Sequence, residues 1–158
     1  PELSGEQVHK AVKEFRTHYQ THLLDTTDLY PGMREVLKRL CRQEKAVLTN
    51  KTEVFAKQLL KALGVDHYFS LVWGGDTGPK RKPHPDPLCS IMQKLGCSPE
   101  QTIMIGDGLN DILAAKAAGV ASAAAGYGYT DKKTLLSLKP DYFFEHVEDL
   151  LQLQADPG

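Results

Sequence analysis

Gly106-Asp107-Gly108-Leu109-Asn110-Asp111 sets two carboxylates four positions apart, between the apolar run Ile103-Met104-Ile105 and a helix-compatible stretch. At a strand-to-helix turn such a pair can offer hard oxygen ligands to Mg²⁺, which takes carboxylates together with waters and phosphate oxygens. The flanking glycines let the backbone turn sharply and come close to a ligand. The competing explanation is an ordinary turn in which Asp107 or Asn110 caps the helix, but a cap accounts for one acid and not two. Thr49-Asn50-Lys51-Thr52 stands at the tip of another short apolar run. A hydroxyl and an amide beside free helix N–H groups suit an anion, phosphate above all; a plain helix N-cap explains the same residues. In Lys80-Arg81-Lys82-Pro83-His84-Pro85-Asp86-Pro87 the prolines inhibit helix and keep the loop extended, so a cation there can be fixed in place. A fixed lysine neutralises phosphate charge, whereas a lone basic triplet is otherwise a solvated loop.

Other polar residues carry weaker signals. His18 and His22 have the one-turn spacing of a two-histidine metal site, but without the intervening Glu of the protease motif or an evident third ligand, so surface or packing roles are favoured. His67, His84 and His146 have no partner legible in sequence. Tyr127-Gly128-Tyr129 reads equally as a substrate-side loop or a plain glycine turn.

The elements that must position these groups follow from periodicity. Val8, Val12, Phe15, Tyr19 and Leu23 form one apolar stripe, which predicts a helix over 5–24. Tyr30-Pro31-Gly32 marks a junction. Met33, Val36, Leu37, Leu40 and Cys41 then have the spacing of a helix buried on one side. Short apolar runs predict strands at 46–48, 71–73, 103–105, 120–124 and 142–144. Helices are predicted over 52–63, 87–95, 109–118 and 146–153, with a capped turn at 98–100. Strands alternating with helices imply an α/β domain with a mostly parallel sheet. Ligands bind beyond the carboxyl ends of such strands, so Asn50, Asp76 and Asp107 are expected to converge on one edge.

Composition narrows the function classes. Nineteen Lys and Arg balance twenty Asp and Glu across 158 residues, which argues against nucleic-acid binding driven by bulk charge. No apolar run approaches the roughly 20 residues that span a bilayer, and Pro1-Glu2-Leu3-Ser4 lacks the layout of a secretion signal. Three cysteines without a C-x-x-C pair argue against a disulfide scaffold or a Cys-based zinc site, and a reducing cytoplasm is the natural compartment.

Taken in order, the three polar segments resemble the haloacid dehalogenase superfamily, and within it the phosphoglycolate phosphatase-like branch. Tyr30-Pro31-Gly32, Thr49-Asn50-Lys51, Lys82-Pro83-His84-Pro85-Asp86-Pro87, and Gly106-Asp107 followed by Asp111 and Ala114-Ala115 all have counterparts there, over about residues 28 to 151. The resemblance implies a Rossmann-like α/β core over 29–158 and, over 1–28, the remnant of a helical cap. It implies a Mg²⁺-dependent phosphatase acting on a small phosphorylated metabolite. Thr49 and Asn50 would bind the phosphoryl group and Lys82 would neutralise it. Asp107 would ligate Mg²⁺, and Asp111 would support the metal shell or hold Lys82. In such enzymes an aspartate attacks phosphorus and the aspartyl-phosphate is then hydrolysed.

That aspartate belongs to an Asp-x-Asp pair on the family's first strand, and no such pair is present here. Asp25-Thr26-Thr27-Asp28 has the wrong spacing and no apolar strand before it. In the family the missing strand lies mid-sheet, between the strand ending at Thr49 and the one ending at Gly106. The expectation is a vacant slot there and an isolated chain that is marginal, aggregation-prone, or completed by other material, with the nucleophile outside these residues. A non-catalytic phosphate- or metal-binding relative is the alternative. A related mutase or dehalogenase is disfavoured by the Thr49-Asn50 tip and the Lys82-Pro83 spacing.

Overall fold

The structure, a computed structural model, describes residues 27–153 together with Gly5, Gln7 and Lys10. The helix expected over 5–24, the cap remnant it represents, and His18 and His22 lie almost wholly outside the described residues.

Helix α1 (Met33–Arg39) follows Gly32, whose φ of +81° favours glycine, and turns Val36 and Leu37 inward. It is followed by β1 (Ala46–Leu48), α2 (Glu53–Ala62), β2 (Leu71–Trp73), α3 (Asp86–Leu95), β3 (Ile103–Gly106), α4 (Leu109–Ala118), β4 (Ala121–Ala125), α5 (Lys132–Ser137) and β5 (Tyr142–Phe144). Short 3₁₀ turns cover Asp66–Tyr68 and Pro99–Gln101, and a 3₁₀ segment runs over Val147–Leu153.

The strands and most helices fall where periodicity predicts them, and three points differ. The helix expected over 146–153 is 3₁₀, with Val147 and Leu150 buried three positions apart, as three residues per turn dictates. The strand expected from Val120 starts one residue later. Helix α5 has no counterpart among the expected elements: its only buried residue is Leu135, too little for a periodic signal. What starts it is Asp131, whose carboxylate accepts the Thr134 N–H.

All strand pairs are parallel, in two sheets: β1-β2 and β3-β4-β5. Every strand of the larger sheet is covered on both faces. On one face Val36 and Leu40, at the α1 end, and Val147 and Leu150 of the last 3₁₀ segment pack with Ala123 and Phe144. On the other, Leu88 and Met92 of α3 and Ala115 of α4 pack with Met104 and Val120. Alternation along β3 sends Met104 to one face and Ile103 and Ile105 to the other. Central strand β4 is Ala-Ser-Ala-Ala-Ala, small enough for helices to close on both sides. Ser122 is fully buried yet satisfied, because Asp141 Oδ2 accepts both its N–H (2.8 Å) and its hydroxyl (2.7 Å).

Strands β1 and β3 do not pair. Between them lie two cavities of about 400 and 420 Å³, both lined by Gln43, Ala46, Leu48, Ile103 and Met104. Among the described residues β1 pairs with β2 alone and β3 with β4 alone, so each has an open edge on this gap.

Candidate active site

The loops after β1 and β3 and the loop before α3 meet at the carboxyl ends of the strands, and Lys82 ties them together. Its Nζ donates to the carbonyl of Leu48, the last residue of β1, and to Asp111 Oδ1, each at 2.6 Å. In return Asn50 Nδ2 donates to the Lys82 carbonyl at 3.0 Å. The Lys82 and Asp111 side chains are only 10% and 12% exposed, so this is a nearly desolvated ion pair, tolerable because a carboxylate and a carbonyl replace water around the ammonium. Of the basic triplet only Lys82 turns inward; Lys80 and Arg81 are exposed.

Asp111 stands in the first turn of α4 with both carboxylate oxygens engaged. Oδ1 accepts from Lys82 and Oδ2 from the Gly108 N–H at 3.0 Å. The contacts it makes here are with Lys82 and with the start of the helix. Gly106 makes this possible: a Cβ there would lie 2.2 Å from Asp111 Cγ.

Asp107 is half-buried and oriented from the far side, since its Oδ2 accepts the backbone N–H of Tyr129 at 3.0 Å. The 126–131 loop comes this close because residue 128 is glycine; a Cβ would lie 2.2 Å from Asp107 Cβ. Tyr127 and Tyr30 meet edge-on beside it, with ring centroids 5.2 Å apart. Burial, with the charges of Tyr30 and Asp107, pushes the Tyr127 phenol up to about 12. Burial and the Asp107 carboxylate likewise raise that of Tyr30. Both rings are therefore neutral donors around neutrality.

Thr49 Oγ1 accepts the Lys51 N–H at 3.1 Å, so its own O–H is left to donate. The helix terminus beside it differs from expectation. Glu53 N–H donates to Asp76 Oδ1 at 2.8 Å, so a carboxylate caps the α2 terminus where free N–H groups for an anion were expected. The cause is the pair Gly74-Gly75, which lets the loop after β2 press against the Glu53 and Asn50 backbone; a Cβ at either position would lie within 2.4 Å of those atoms. Thr77 extends the clamp: its hydroxyl accepts the Gly74 N–H (2.8 Å) and donates to the Glu53 carboxylate. Hydrogen bonds from Lys57 and Thr77 hold the Glu53 carboxyl below the usual range. Asp76 thus reaches the expected edge but serves as a cap.

The structure therefore brings Asn50, Lys82 and Asp111 into one hydrogen-bonded group that includes the Leu48 carbonyl, with Thr49 between Leu48 and Asn50 along the chain and Asp107 on the same β3–α4 turn. His84 Nδ1 accepts the Asp86 N–H, and the His67 ring lies tilted against Tyr68, so neither joins the group. Sequence reasoning missed the Leu48 carbonyl and the Tyr129 N–H, and took Tyr30 only as part of the Tyr30-Pro31-Gly32 motif; the hint to the loop contact was Tyr127-Gly128-Tyr129.

No cluster of three or more His, Cys, Asp or Glu able to hold a metal occurs among the described residues. The donor set on hand is Asp107 Oδ1, which fits one position of a hard cation that keeps several waters and takes the rest from phosphate or another carboxylate. No helix among the described residues is long and apolar enough to cross a membrane.

The chain is 38% identical, over 96% of its length, to a phosphoglycolate phosphatase from Mannheimia succiniciproducens, and 42% identical, over 85%, to one from Chromobacterium violaceum. It spans 68% and 61% of the lengths of those two relatives. Among solved structures, a predicted phosphoglycolate phosphatase from Haemophilus somnus superposes with a TM-score of 0.89 at 35% identity, covering 98% of this chain and 69% of that one. The family model for haloacid dehalogenase-like hydrolases matches residues 2–125. Motif order, parallel α/β architecture and these likenesses coincide, and the chain belongs to the haloacid dehalogenase-like hydrolase family.

Proposed function

We propose that these residues form the larger part of a Mg²⁺-dependent phosphatase that hydrolyses a small phosphate monoester of the phosphoglycolate kind in the cytoplasm. The observation that carries this reading is the Lys82 ammonium, fixed at 2.6 Å from both Leu48 O and Asp111, with Thr49 and Asn50 next to it. An immobilised cation beside a hydroxyl donor, at the carboxyl ends of parallel strands, suits a transferring phosphoryl group. Thr49 O–H and the remaining Asn50 amide N–H would bind its oxygens. Lys82 would neutralise its charge, and Asp111 would keep Lys82 aimed. Asp107 Oδ1 would take the divalent cation that hydrolases of this family generally use. When bound, Mg²⁺ offsets the charge that develops on the phosphoryl oxygens.

The nucleophile is the group not found among these 158 residues. We place it on an extended apolar strand seated between β1 and β3, parallel to both and supplied by polypeptide outside this stretch. Among the described residues, two open edges, two apolar cavities along them, and a buried Gln43 Oε1 without a hydrogen-bond partner support that seat. A carboxylate at the tip of that strand would attack phosphorus, and the P–O bond to the alcohol would break as the second aspartate of the Asp-x-Asp pair gives its proton to the leaving oxygen. Water would then cleave the aspartyl-phosphate to inorganic phosphate and restore the carboxylate.

The test uses the protein of the whole reading frame with Mg²⁺ and phosphoglycolate, together with a panel of other small monoesters. Phosphate release that Asp107→Ala lowers by about 10²-fold or more is expected, the scale of losing one electrostatic stabiliser. Absence of release from every ester would overturn the proposal.

A further inference from the structure

The loop after β4 meets Asp107, and the manner of contact is specific. Gly128 lies so close to Asp107 that a Cβ would meet Asp107 Cβ at 2.2 Å and Oδ2 at 2.5 Å. The next residue directs its backbone N–H at that same Oδ2, at 3.0 Å, while its own ring stands 95% exposed. Tyr127, on the other side of the glycine, anchors the loop by its edge contact with Tyr30. Hydrogen bonds from Gly128 N to Ala125 O (3.1 Å) and Gly126 N to Phe144 O (2.8 Å) fix the loop to the ends of β4 and β5. The carboxylate is therefore held by a rigid backbone donor at one oxygen, and its other oxygen carries no such restraint.

We propose that Gly128 and the Tyr129 N–H are the positioning pair for Asp107, turning its Oδ1 toward the divalent cation. The inference rests on the metal role of Asp107 given above. Outer partners that orient a ligating carboxylate affect metal affinity strongly, because an unrestrained ligand must be ordered anew at each binding event. Nothing about the Tyr129 ring enters; the working atom is its main-chain nitrogen.

Three variants of the whole reading frame separate these elements: Gly128→Ala, which pushes the loop off Asp107; Tyr129→Pro, which deletes the N–H; and Tyr129→Ala, which keeps it. Mn²⁺ affinity, read from the free-ion electron paramagnetic resonance signal, is the primary measurement, and the Mg²⁺ dependence of phosphate release the second. Gly128→Ala and Tyr129→Pro should weaken Mn²⁺ binding by about 10–100-fold. Excess Mg²⁺ should recover most of kcat in both. Tyr129→Ala should hold Mn²⁺ affinity within about twofold, as expected where only exposed side-chain atoms are lost. Should Gly128→Ala fail to fold, the contrast between the two Tyr129 variants decides. Equal losses in Tyr129→Pro and Tyr129→Ala, or unchanged affinity in Gly128→Ala and Tyr129→Pro, would overturn the inference while leaving the phosphatase reading intact. A wild-type protein that neither binds Mn²⁺ nor releases phosphate would overturn both.

Discussion

Removing the Asp111 carboxylate should destabilise the fold more than any loss of contact area would suggest. Asp111→Ala deletes the acceptor 2.6 Å from Lys82 Nζ and the one 3.0 Å from Gly108 N, at a side chain 12% exposed. Lys82, 10% exposed, would keep only the Leu48 carbonyl. Stranding one charge of a buried pair costs about 3–5 kcal/mol, mostly the unpaired partner's desolvation. That is a large part of the roughly 5–15 kcal/mol available to a domain. At about 2–4 °C per kcal/mol for a chain of this size, Tm should fall by roughly 6–20 °C. Urea unfolding followed by far-UV circular dichroism, alongside a thermal scan, measures it. A second variant tests the cause: Lys82→Met with Asp111→Leu replaces both charges by apolar groups and should regain most of the loss. If Asp111→Ala cost under about 1 kcal/mol, the pair would be behaving like a solvated surface bridge and the reasoning would fail. It would fail equally if the double variant were as unstable as the two single losses summed.

Two further outcomes follow from the same geometry. Gly106→Ala puts a methyl 2.2–2.3 Å from Asp111 Cγ, Cβ and Oδ2 and should cost about 1–3 kcal/mol in urea unfolding; in the Asp111→Ala background the cost should fall but persist in part, because Cγ and Oδ2 are gone while Cβ, at 2.3 Å, remains. Tyr127 has its folded pKa raised from 10.0 to about 12, so its contribution is complete below pH 10 and is lost as pH rises from there through 12. Tyr127→Phe should flatten that alkaline limb of the stability curve, and an unchanged limb would show that another group governs it.

Some of this is legible in the residue string and some is not, for physical reasons. Strands such as Ile103–Gly106 and helices such as Leu109–Ala118 stop at glycines and carry apolar runs or periodicity, so pattern locates them to within a residue or so. Lys82 and Asp111 stand out by type and motif, but their pairing is tertiary and is anticipated only through family resemblance. The Asp76 cap is invisible in sequence because it depends on Gly74 and Gly75 letting two loops touch. The Tyr129 N–H is invisible because every residue but proline has one, and only the fold selects which is aimed. The gap between β1 and β3 is expected from the absent Asp-x-Asp motif; periodicity of the strands present would by itself suggest one continuous sheet.

The architectural duty of Lys82, beside the phosphoryl role proposed for it, bears on how activity is judged in relatives of this chain. One nitrogen pins the end of β1 to the start of α4, so a descendant that had abandoned turnover would still be obliged to keep a lysine there for the sake of folding. Its presence is thus a poor marker of a working enzyme. On the proposed reading Asp107 is the more informative position, since its Oδ2 accepts the Tyr129 N–H while its other oxygen has no partner among the described contacts.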